Sequence, residues 1–175
     1  MRDGMFMLRM LRLVILSCLL AVPAYVDGLL AEDMPELRAP SPAEAAELLA
    51  LSGPAQITRE EGGVPGWTVT SGGTVAGYVG STWEIAASVG YSGRPIDVLV
   101  SVTPRGTIGD ALLVRHDEPV LTLGISEADI AAYVAGFAGY SLNDKGPAAA
   151  PEGLPDIISR ATVSTGVIRD GILRT

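Results

Sequence analysis

Residues 95–103 set the pattern of the chain: Ile96, Val98, Val100 and Val102 alternate with Asp97, Leu99 and Ser101. A period of two predicts a half-buried strand, with one face in a core. Pro104-Arg105-Gly106 follows as a turn, and residues 107–115 return as a second strand. Upstream, residues 67–70 and 74–83 are rich in Thr, Val, Tyr and Trp, and Ser71-Gly72-Gly73 separates them, so they form a second hairpin. Residues 55–59 supply a further candidate strand. Helical spacing appears elsewhere. Ser41-Pro42-Ala43-Glu44 places an N-cap, a first-turn proline and an acid three residues on, and opens a helix running to about residue 51 before Gly53-Pro54. Ser126-Glu127-Ala128-Asp129 opens another to about residue 137, with Ile130, Val134 and Phe137 as its apolar face. A last helix is expected over residues 162–173, where Val163, Val167, Ile168 and Ile172 form i,i+4 pairs. The expected fold class is α+β, a twisted antiparallel sheet flanked by helices.

The first 24 residues break this pattern. Arg2, Arg9 and Arg12 precede an apolar run over residues 13–22, and Val22-Pro23-Ala24 offers small residues for cleavage, as in a secretory signal. The run is short for a membrane span, and an uncleaved anchor is the alternative. The expected organisation is a signal peptide at 1–24, a Pro-rich linker and helix at 25–54, and one domain at 55–175, placed in the periplasm or another extracytoplasmic space, with membrane association open. Residues 139–155 read as a loop rich in Gly, Pro and Ala.

Composition then narrows the chemistry. The net charge is -8 over 175 residues, which argues against nucleic acid as a partner. Cleavage after Ala24 removes Arg2, Arg9, Arg12 and Asp3, taking the charge to -10, and also removes Cys18, the single cysteine. A mature chain of that kind has no thiolate for zinc or an iron–sulfur cluster. One histidine, His116, and no Gly-x-Ser-x-Gly elbow give little scope for triad hydrolysis. Redox chemistry would need an organic cofactor.

The stretch Asp156-Ile157-Ile158-Ser159-Arg160-Ala161-Thr162-Val163-Ser164-Thr165 concentrates four hydroxyls where the last helix begins. Taken by itself it reads as an ordinary N-cap made by Ser159 or Thr162. Unpaired N–H groups at a helix start also favour an anion such as phosphate. Asp-x-x-Ser-x-Ala-Thr resembles the flavinylation motif of FMN-binding domains, Asp-x-x-Ser/Thr-Gly-Ala-Thr, with Arg160 in the glycine position. The run Gly90-Tyr91-Ser92-Gly93-Arg94-Pro95-Ile96-Asp97-Val98-Leu99-Val100, then Pro104-Arg105-Gly106-Thr107-Ile108 and His116-Asp117-Glu118-Pro119, resemble segments of the NosR/NirI family. The likeness extends over about residues 77–173.

That resemblance implies an exported FMN-binding domain tied to nitrous-oxide and nitrite respiration, related to the flavin subunits of Rnf-type and sodium-pumping complexes. It implies covalent FMN on Thr162, with Ser159, Ala161 and Thr165 around the phosphate. A separate FAD-dependent flavin transferase using magnesium would load it, and a membrane or periplasmic redox partner would exchange electrons with it. Tyr91, Ser92, Gly93 and Arg94 then border the flavin ring, with His116 or Glu118 assisting proton balance. Each has an ordinary counterpart. Residues 90–95 make a tight turn into a strand, and His116-Asp117-Glu118-Pro119 is a polar strand end. Trp83 and Tyr91 either stack on the ring or pack elsewhere. The implied protein is an electron carrier rather than an enzyme with its own substrate. The rival is a non-redox regulatory or assembly module with the fold and no flavin. Family members continue into membrane helices and a cysteine-rich iron–sulfur region.

Overall fold

The computed structural model describes residues 37–143 and 153–175. The expected signal segment, most of the linker, and part of the loop after residue 143 lie outside the described residues. Five strands form one sheet in the order β1-β2-β3-β4-β5: Ala55–Arg59, Trp67–Ser71, Thr74–Ser81, Asp97–Val102 and Ile108–Arg115. Each pairs antiparallel with its sequence neighbours, as the hairpin signals predict, and the sheet is not closed. The helices are α1 (Pro42–Leu48), α2 (Thr82–Ala86), α3 (Pro119–Leu123), α4 (Glu127–Ala135) and α5 (Thr162–Arg174). The α+β class therefore holds.

The sheet carries a core on each face. Val98, Val100, Ile108 and Ala111 pack with Ile130, Val134 and Phe137 from the α4 region and with Ile168 and Ile172 from α5. Ala55, Trp67, Val69, Val79 and Leu99 pack with Ala45 and Leu48 of α1. This double covering changes the expectation for β4. Five of its six residues, from Asp97 to Ser101, are buried, rather than one face alone. Its polar positions are satisfied internally. Asp97 accepts from the Ser81 hydroxyl at 2.7 Å and the Trp83 amide at 3.3 Å. Ser101 donates to the Leu48 carbonyl at 2.7 Å and accepts from the Asp110 amide at 2.9 Å.

Two short helices were not legible as elements. The strand expected to reach residue 83 stops at Ser81, whose hydroxyl accepts from the Glu84 amide and starts α2. After β5, Pro119 at the first position opens α3. The terminal helix begins where expected, but Val163 is 55% exposed, and the buried positions near its start are Ser164 and Thr165.

Candidate functional site

The start of α5 is built by a turn rather than by a cap. The Ala161 amide donates to the Ile158 carbonyl at 3.1 Å, closing a four-residue turn whose third position is Arg160 at φ 76°. A positive φ at the third position of a β-turn is where glycine is favoured. The position at which the flavinylation motif carries glycine thus has a glycine-like backbone here, with an arginine on it. Neither Ser159 nor Thr162 is the N-cap. Ala161 occupies that place and provides no side-chain hydrogen bond. Thr165 makes the first helical bond, its amide reaching the Ala161 carbonyl at 2.9 Å, and its hydroxyl donates to the same oxygen at 2.8 Å. The amides of residues 162–164 precede that bond and have no acceptor within the helix.

The four hydroxyls divide into two pairs. Ser159 and Thr162 are exposed; Ser164 and Thr165 are buried. Thr162 stands at the first helical position and is exposed. The Tyr133 hydroxyl, from α4, donates to the Thr165 carbonyl at 2.8 Å and holds the turn from one side. Burial raises the Tyr133 pKa above its ordinary value, partly countered by Arg169, so the phenol remains a donor.

Glu118 holds the turn from the other side, and its side chain is fully buried. Oε2 accepts from the Tyr91 amide at 3.0 Å and from the Ser164 hydroxyl in a short contact. Oε1 accepts from the Ser92 amide at 3.0 Å and the Ser92 hydroxyl at 2.6 Å. Burial alone would raise its pKa; the hydrogen bonds from Ser164, Ser92 and Tyr91 outweigh that and hold it below the ordinary value. Gly90 makes room for the carboxylate, since a Cβ there would lie 2.2 Å from Oε1. The turn is closed by Gly93, at φ 76°, whose amide donates to the Gly90 carbonyl at 3.1 Å. The Glu118 amide reaches His116 Nδ1 at 3.4 Å, and Arg94 lies 4.0 Å from Asp117.

An apolar pocket of about 310 Å³ adjoins the turn at Arg160, lined by Pro119, Val120, Leu123, Gly124, Ile125 and Arg160. Leu123 is 86% exposed. A larger groove of about 650 Å³ runs between β5 and α4, past Leu112, Val114, His116, Ile130 and Val134.

The structure brings Tyr91, Ser92 and Glu118 together with the start of α5, joining segments far apart in sequence. Tyr91 projects at 73% exposure while its amide is held. Ser92, Gly93 and Arg94 are exposed, and His116 is half-buried, its Nδ1 accepting from the Glu118 amide and its side lining the groove between β5 and α4. The carboxylate of Glu118 is engaged inward by four donors. The backbone amide of Trp83 donates to Asp97. Sequence reasoning missed the role of Ser164, the space left by Gly90, the Tyr133 tie and the α3 pocket. The glycine before Tyr91 and the buried parity of Ser164 were the available signals.

Fold and site together define an α+β domain with an open antiparallel meander and an exposed threonine at the head of its last helix. No family model matches the chain. Over 168 residues it is 55% identical to Protein NirI of Paracoccus denitrificans, covering 95% of this chain and 23% of that protein. It is 28% identical over 124 residues to Regulatory protein NosR of Stutzerimonas stutzeri, covering 69% of this chain and 17% of that protein. With Regulatory protein NosR of Pseudomonas aeruginosa the identity is 30% over 110 residues, covering 61% and 15%. The chain is homologous to these proteins, which supports the NosR/NirI family, and it spans less than a quarter of the length of the relatives it matches.

Proposed function

We propose that this chain is an exported electron-transfer domain that carries FMN covalently on Thr162, in a NosR/NirI-like role in denitrification. The observation that carries the reading is the turn at Arg160. It has φ 76° at the motif's glycine position, and it presents Thr162 exposed at the first position of α5. The residues fit the group. The amides of the first helical turn, which have no acceptor inside the helix, suit the anionic phosphodiester. The α3 pocket, with Val120, Leu123 and Ile125, offers apolar surface for the ring, and Arg160 borders it with a cation. When bound, FMN supplies one- and two-electron chemistry; the protein supplies attachment, orientation and tuning. In loading, the Thr162 oxygen forms a bond to the flavin-side phosphorus of FAD as the pyrophosphate bond breaks. AMP leaves, and the hydroxyl proton passes to a base of the transferase. Covalent attachment suits an exported protein, because lost FMN is not readily replaced outside the cytoplasm. The electron partner belongs to the membrane or periplasm.

A second reading is supported by the arginine itself, whose side chain occupies ground that glycine leaves open to a transferase. It makes the domain a regulatory or assembly module without flavin, in keeping with the word "regulatory" in the name of the NosR relatives. Co-expression with a competent transferase separates the two. Flavin fluorescence that survives denaturing electrophoresis is expected, and Thr162→Val abolishes it. A colourless protein under those conditions favours the second reading.

A further inference from the structure

We propose that Glu118 is the positioning residue for flavin attachment: its carboxylate fixes the rotation of the first turn of α5, and so the outward facing of Thr162, by tying Ser164 to the turn at residues 90–92. This rests on the reading of Thr162 as acceptor. A carboxylate buried in a protein interior is costly unless its oxygens are satisfied. Here all four donors come from two segments, one 26 or 27 residues before Glu118 and one 46 residues after it. Gly90 has no side chain where Glu118 lies; a Cβ would sit 2.4 Å from Cδ as well as against Oε1.

Helix geometry converts this tie into orientation. At 3.6 residues per turn, positions two apart lie roughly 200° apart around the axis. Holding Ser164 inward therefore turns Thr162 outward. Core packing of Ala161, Ile168 and Ile172 seats the rest of α5, and the tie on Ser164 adds a polar hold at its first turn. Ala161 gives no side-chain cap, and Arg160 is held at φ 76°. Tyr133 fixes the Thr165 carbonyl from α4, which leaves Glu118 as the tie on the side of the 90–92 turn. The same carboxylate holds the amide of the exposed Tyr91, so the surface turn and the attachment turn move as one unit.

The test uses Glu118→Gln, which keeps the shape and one acceptor oxygen, and Ser164→Ala, which cuts only the α5 end of the tie. Amide hydrogen exchange on the unloaded full chain reads the tie without flavin. In Glu118→Gln, exchange is expected to quicken by about tenfold or more at both residues 90–92 and 161–165, while α4 keeps its protection. In Ser164→Ala it quickens at 161–165 alone. Loosening of neither segment in Glu118→Gln overturns the proposal. Single-turnover loading with transferase, FAD and magnesium then reads the positioning. Both variants are expected to load more slowly at saturation, by on the order of 10- to 100-fold, with unchanged transferase affinity. Wild-type rates in both variants, or a loss confined to affinity, refute positioning while leaving Thr162 as acceptor. Wild-type protein loaded on a different hydroxyl refutes the acceptor and this proposal with it.

Discussion

Arg160 holds a backbone angle that glycine adopts without strain. A side chain at φ 76° costs about 1–2 kcal/mol, and glycine gives back part of that through its freer unfolded chain, about 0.4–1 kcal/mol. Arg160→Gly is therefore expected to stabilise the protein by about 0.5–1 kcal/mol, read as a raised urea midpoint, and to increase flavin loading. A fall in loading would mean that the guanidinium pairs with the phosphate. Glu118 makes a prediction in pH. Its folded pKa lies below the unfolded one, because hydrogen bonds from Ser164, Ser92 and Tyr91 outweigh burial. Its contribution is then full above the ordinary carboxylate value and is lost as pH falls through the folded value. Unfolding free energies from urea titration should differ by about 1–3 kcal/mol between wild type and Glu118→Gln near neutrality, and the difference should shrink in acid. A constant gap across pH would contradict the ionised state. The expectation for Thr162 came from the resemblance to the flavinylation motif, since the stretch by itself reads as an ordinary cap. The inward role of Glu118 was not legible, because His116-Asp117-Glu118-Pro119 has the composition of a solvated strand end, and only the tertiary approach of Ser92 and Ser164 buries it.

At the scale of elements, the turn at residues 90–93 depends on two glycines for different reasons. Gly90→Ala would push a methyl into Glu118, and is expected to cost about 1–3 kcal/mol. Gly93→Ala meets nothing within 4 Å but must hold φ 76°, for a cost of about 1 kcal/mol. Thermal denaturation of the pair checks the ranking, and covalent loading should fall in the first variant far more than in the second. The strands and three longer helices were readable because local period and turn residues agree with the final fold. The misreadings share a tertiary cause. The alternation in β4 suggested one buried face, yet helices cover both, and Asp97 and Ser101 find internal partners. Val163 fitted an apolar stripe, but the tie on Ser164 turns it to solvent. Ser81 to Glu84 carries a capping spacing that a run of β-formers obscured.

For the whole molecule, the open sheet carries α1 on one face and α4 and α5 on the other, and Thr162 stands at the exposed start of α5. Thr162 lies outside both cores, so Thr162→Val should change stability by no more than about 0.5 kcal/mol. The most direct measurement is peptide mass mapping of the protein purified after co-expression with a flavin transferase. One FMN phosphodiester is expected, on the peptide containing Thr162, and none in the Thr162→Val protein at unchanged thermal stability. Flavin on Ser159, Ser164 or Thr165, flavin undiminished in the valine variant, or no covalent flavin in the wild type would contradict it.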